Sequence, residues 1–213
     1  MYIFFDVPDI SEYQNGFPGY WLQILFISSV SENFQINALT TTYVRLVEAA
    51  LVEYRLGQAR LKEYWNTHTS INLSSMHRAA SHFESCISDM HRAILCFRPL
   101  RRHKDLPDSL RQVLNAEKPR FIADHVSDQL REFRNAIHHL DQRVMKGLLQ
   151  QGQPIALKPD GPEVPHPTEP NQTNKTIDRL VIAELELKFA DLAAWLTEMG
   201  RFAEKFADYQ GPR

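Results

Sequence analysis

Apolar residues recur at intervals of three and four over most of this chain, the spacing of helices that bury one face. The sharpest run is Leu73, Met76, Ala80, Phe83, Ile87, Met90, Ile94 and Phe97, which predicts a helix with a coiled-coil-like seam. Pro99 predicts its end, because the ring disfavours helical geometry in the preceding residue. An earlier helix is predicted from Leu39, Tyr43, Leu46, Val47, Ala50, Tyr54, Leu61 and Trp65, closing near WNTHTS. A third starts after Pro119, a favoured first-turn residue, and carries Ile122, Val126, Leu130, Phe133, Ile137, Leu140 and Val144. A fourth, about 176–209, carries Leu180, Val181, Leu185, Leu192, Trp195, Met199, Phe202 and Phe206. Long helices with single apolar faces bury them against one another. The expectation is therefore an all-α fold, an up-down bundle of four to five helices.

Two segments break the pattern. In residues 1–36, MYIFFDV and GYWLQILFI are rich in aromatic and β-branched residues, and YQNGFPG between them is turn chemistry. That predicts a short extended or hairpin arm. Residues 151–174 hold six of the twelve prolines and almost nothing apolar, which predicts a loop or linker. The expected organisation is an N-terminal arm, 1–36, and a bundle, 37–213, interrupted by that loop. There is no internal repeat, Gly-rich phosphate loop or dinucleotide fingerprint.

Charge and cysteine usage narrow the setting. The formal charge of −2 is unevenly spread: residues 1–44 contain no Lys or Arg. A secretory leader wants a basic start, so none is expected, and YWLQILFISSV at 20–30 is too short and polar for a membrane span. Cys86 and Cys96 lie ten residues apart on one predicted helix, about 15 Å, beyond disulfide reach. Reduced structural thiols in a cytoplasmic protein are the expectation.

The candidate chemistry lies in RNAIHH, residues 134–139. On a helix whose core stripe runs through Phe133 and Ile137, Arg134 and His138 share one flank. Asn135 and His139 form a second ridge pointing away from the core. Three Arg-x4-His pairs occur in the chain, Arg98/His103, Arg120/His125 and Arg134/His139. Only the last has Asn after Arg and falls well inside a predicted helix.

An Arg-Asn-x3-His motif late in a helical bundle resembles the HEPN superfamily, matched here by Arg134, Asn135 and His139 over roughly residues 37–209. The resemblance implies a HEPN-like bundle, a dimer with a composite site, and metal-independent cleavage of RNA to 2′,3′-cyclic phosphate and 5′-hydroxyl ends. Defence or toxin–antitoxin roles are common in that family, which makes an antitoxin or regulatory protein a candidate partner beside RNA and a second copy. The toxin branch silenced by nucleotide addition has a tyrosine where this chain has Asp141, so that control is not implied.

The residue types suit the chemistry. An imidazole can take or give a proton near neutrality, and a guanidinium matches two phosphate oxygens. His139 is the expected acid/base, with His138 as its rival; Arg134 is expected on the scissile phosphate and Asn135 as the orienting group. A solvated helix face, with Arg134 paired to Asp141, is the competing reading. The basic run RPLRRHK adds Arg98, Arg101, Arg102 and Lys104, with Arg131, as candidate RNA-backbone contacts. His77, His82 and His91 lack the i, i+4 spacing of helical metal sites, and no Glu-x-x-His falls on a predicted helix, so neither metal nor cofactor is expected. A catalytically inactive interaction or RNA-binding bundle is the alternative.

Overall fold

The computed structural model describes residues 1–26, 31–64, 72–139, 142, 145–147 and 157–209. Trp65, Leu140, Asp141 and Val144, singled out above, lie outside them. The elements in order are β1 (Tyr2–Phe5), a 3-10 turn (Ser11–Tyr13), α1 (Pro18–Phe26), α2 (Phe34–Tyr64), α3 (Leu73–Arg101) and α4 (Asp108–Asn115). A second 3-10 turn (Arg120–Ile122) precedes α5 (Asp124–His138), which is followed by β2 (Lys158–Asp160), β3 (Glu163–Pro165), β4 (Thr173–Ile177), β5 (Arg179–Ile182), β6 (Leu185–Lys188) and α6 (Phe189–Asp208). The chain is mostly helical, but two three-stranded sheets, ordered β1-β4-β3 and β2-β5-β6, correct the all-α expectation. No helix among the described residues is long and apolar enough to cross a membrane.

Two compact units divide the chain. The first comprises Met1–Asp9, Glu53–Ser85 and Glu132–Ala194. Its strands take in part of the segment 151–174 expected to be a loop: residues 158–160 and 163–165 pair with β5 and β4, while 151–156 lie outside the described residues. Prolines are tolerated there because β2 and β3 are edge strands, where a missing ladder donor costs little; Pro159 and Pro165 sit on them. The fourth helix likewise starts later than expected. Leu180 and Ile182 are buried on β5, and Leu187 on β6, with the two-residue alternation of a hairpin. A three-four reading of Leu180, Val181 and Leu185 imitates a helix stripe, and tertiary pairing overrides it.

Asp160 staples the strands of this unit. Its carboxylate takes Lys158 Nζ at 2.6 Å and Lys175 Nζ at 2.7 Å, and accepts the Gly161 N–H at 2.9 Å. Burial alone would raise its pKa, but the lysines and the backbone donor hold it down at about 2. Residue 161 must be glycine, since a Cβ there would lie 1.7 Å from the Thr176 carbonyl oxygen. At the end of the N-terminal segment, Gln58 Nε2 donates to Val7 O and Tyr54 Oη to Pro8 O, both at 2.9 Å. β1 joins β4 in parallel, and no hairpin forms among the described residues of 1–36. The aromatic core is Tyr54, Phe83 and Phe189, with Phe83 against both others at 5.8 and 4.9 Å.

The second unit comprises Ile10–Val52, Cys86–Arg131 and Trp195–Arg213. Residues 18–26, read above as extended, form α1. Tyr20 is fully buried with its hydroxyl 2.9 Å from Thr41 Oγ1, and Trp21 Nε1 donates to Glu48 at 2.7 Å, so contacts with α2 decide the outcome over β propensity. Asn33 caps α2 by accepting from the Gln35 N–H at 2.8 Å. α3 runs two residues past Pro99, which is exposed, so the Leu95 carbonyl that loses its donor can face water. The core is an aromatic cluster: Phe97 stands 4.9 Å from Tyr43 and 5.1 Å from both Phe121 and Phe202. Phe121 anchors the 3-10 turn, which is why the α-helix begins at Asp124 rather than directly after Pro119.

Candidate functional site

α5 carries the motif in its last turns. It closes at His138, with His139 in a turn whose N–H donates to the Asn135 carbonyl at 3.0 Å. The motif therefore straddles a helix end and does not lie well inside a helix. Its apolar neighbours explain the orientation. Phe133 and Ala136 are buried at 1% and 0% exposure, which turns Asn135 and His139 outward; both are exposed, as the ridge argument requires. His138 is exposed too, and Arg134 is half-buried on the flank.

The site is thus a polar ridge at a helix end. Among the described residues, no hydrogen bond or ion pair joins the side chains of Arg134, Asn135, His138 and His139 to one another. Within a single copy they share a face without converging on one another.

The residues of the basic run sort differently. Arg98 Nη2 donates to the Ile122 carbonyl at 2.7 Å and pairs with Asp124 at 3.0 Å. Arg101 donates to Asn115 Oδ1 at 2.9 and 3.2 Å and lies over the Phe97 ring. Both guanidiniums hold the connector against α3, and burial together with Arg102 lowers the pKa of Arg101. Arg131 pairs with Asp128 at 3.1 Å on an exposed face. Arg102 and Lys104 are exposed, and no carboxylate among the described residues pairs with either side chain. Arg111, which no motif marks, donates to the carbonyls of His103, Lys104 and Leu106 and closes the turn after α3.

His82 Nδ1 meets Glu53 Oε2 at 2.7 Å, and His91 is buried at 5% exposure. No group of three or more His, Cys, Asp or Glu among the described residues could hold a metal ion. Cys86 is buried with its Sγ 3.8 Å from Met90 Sδ, while burial raises the pKa of the half-buried Cys96 thiol.

No family model matches the chain, and neither curated proteins nor solved structures offer a match.

Proposed function

We propose that the chain is a HEPN-like, metal-independent endoribonuclease whose site forms when two copies bring their α5 ridges together. The observation that carries this reading is the outward Asn135–His139 ridge beside a half-buried Arg134, on a helix whose opposite face is buried. Polar groups with this chemistry, in the last turns of α5 and just beyond its end and with Asn135, His138 and His139 exposed, suit a site completed by a second subunit and by RNA. On this reading α2, α3, α5 and α6 are the helices of a HEPN-like bundle and the two sheets are additions to it.

The chemistry follows from the side chains. The imidazole of His139 in one copy takes the proton from a ribose 2′-hydroxyl, whose oxygen attacks the adjacent phosphorus. Arg134 holds two non-bridging phosphate oxygens through its planar fork and stabilises the charge that builds in the transition state. The bond to the 5′-oxygen breaks as an imidazole of the second copy donates a proton to it. A 2′,3′-cyclic phosphate and a 5′-hydroxyl result, with protons conserved overall. Asn135 orients the phosphate through its amide.

The test compares wild type with Arg134→Ala and His139→Ala on end-labelled RNA in excess EDTA. Each substitution is expected to lower the cleavage rate by at least about 100-fold, the usual scale for a lost acid/base or phosphate contact. Melting temperatures should stay within about 2 °C of wild type, since both side chains lie outside the core. No cleavage by any of the three folded proteins would leave an interaction module as the better account, and equal cleavage by all three would remove Arg134 and His139 from the site.

A further inference from the structure

We infer that the outer face formed by the first turns of α2 and the last turns of α3 binds the phosphate backbone of RNA through Arg45, Arg92 and Arg102, with Lys104 at its rim. The choice of RNA as the polyanion rests on the nuclease reading; the binding face itself rests on separate observations, all within the second unit.

Composition comes first. Residues 34–47 and 90–104 contain no Asp or Glu, yet hold Arg45, Arg92, Arg98, Arg101, Arg102 and Lys104. Packing brings the two stretches together: Tyr43 meets Phe97 at 4.9 Å, and Gln35 Oε1 lies 3.1 Å from His103 Nε2. These two contacts set α2 antiparallel to α3 and place Arg45 level with the turn from Arg92 to Cys96. The Cys96 thiol reports the same neighbourhood: burial raises its pKa, while Arg92 and then Arg45 pull it down.

The cations then divide by direction. Arg98 and Arg101 turn toward Ile122, Asp124 and Asn115 and are spent on structure. Arg45, Arg92, Arg102 and Lys104 are all exposed. Among the described residues no carboxylate pairs with the side chains of Arg45, Arg102 or Lys104, and Arg92 reaches Asp89 only at 3.5 Å. Asp105, next along the chain, accepts from Asn33 Nδ2 at 3.2 Å. A surface with this much positive charge and so little compensation pays a self-repulsion cost that a polyanion relieves. Arg92 and Arg102 lie about 15 Å apart along the helix direction, so the face follows a strand rather than gripping one phosphate. Contacts from these cations to phosphate carry no base information of their own, which predicts affinity largely independent of sequence and steeply dependent on salt.

The experiment is fluorescence anisotropy with an unstructured, 3′-labelled RNA 20-mer, using the full chain carrying His139→Ala so that the probe survives. The triple variant Arg45→Gln, Arg92→Gln, Arg102→Gln is compared with a control of equal charge loss, Arg60→Gln, Lys62→Gln, Lys188→Gln. The face variant is expected to weaken binding at least about tenfold at 0.1 M salt. It should also reduce the log–log salt slope by about 2, at roughly 0.7 per lost phosphate contact on a single strand. The control should change affinity less than about threefold. Equal losses in both variants, no loss in the face variant, or no RNA binding at all would overturn the inference. Failure of the nuclease reading looks different: RNA bound through this face and left uncut by wild type retains the binding face and removes the cleavage site. RNA cut by wild type but bound equally well by the face variant does the reverse.

Discussion

Replacing Asp160 by Asn tests whether one carboxylate holds the strands of the first unit together. The side chain is 19% exposed and touches Lys158 at 2.6 Å and Lys175 at 2.7 Å. Its pKa falls from 3.8 to about 2, against a burial effect that acts in the opposite sense. That fall corresponds to at most roughly 2.5 kcal/mol of stability. The lysines are 36% and 26% exposed, so solvent screening brings the expected loss to about 1–1.5 kcal/mol. For a chain of this size the melting temperature should drop by about 3–5 °C at pH 7. The sign follows from the depressed folded value: the contribution is complete above the unfolded value near 3.8 and disappears as pH falls toward 2. Thermal melts of wild type and Asp160→Asn should therefore differ at pH 5–7 and converge between pH 3.8 and 2. A gap absent at pH 7, or one that persists undiminished at pH 2, would refute the reasoning.

Other substitutions probe neighbouring points of the structure. Gly161→Ala should cost more than about 2 kcal/mol in a denaturant titration, because the added Cβ meets the Thr176 carbonyl, a backbone atom that cannot rotate away. Ala183 has φ 52° at the first position of the two-residue turn between β5 and β6, where hairpins with positive φ favour glycine. Ala183→Gly is accordingly expected to stabilise by about 0.5–1 kcal/mol, read as a higher unfolding midpoint with unchanged slope. Arg98→Gln breaks a charge-assisted bond to the Ile122 carbonyl and should cost about 1–2 kcal/mol by the same titration. That loss would mark Arg98 as a structural residue rather than an RNA contact.

Helices that pack along a continuous stripe were legible from spacing alone. From Ala80 to Phe97 every residue of the predicted α3 seam is buried, and the outward direction of Asn135 and His139 followed from the burial of Phe133. The strands were not legible, because Leu180, Val181 and Leu185 satisfy a helix period as well as a strand period, and only pairing with distant residues decides between them. The prolines of residues 158–165 misled for a related reason. Proline forbids a central strand but not an edge, and edges are a property of the assembled sheet. The end of α5 at His138 and the anchoring of Arg98 and Arg101 also depend on contacts outside the local sequence. The acid-free stretches flanking Arg45 and Arg92 were visible in the sequence, but their alignment across two helices was not.

The most direct test of the central claim is the chemistry of the product ends. Wild-type protein is incubated with unlabelled RNA in excess EDTA, and the fragment termini are read by mass spectrometry. The account predicts fragments ending in 2′,3′-cyclic phosphate and beginning with 5′-hydroxyl, absent when Arg134→Ala or His139→Ala replaces wild type. Intact RNA on varied substrates, or 5′-phosphate and 3′-hydroxyl ends, would contradict it.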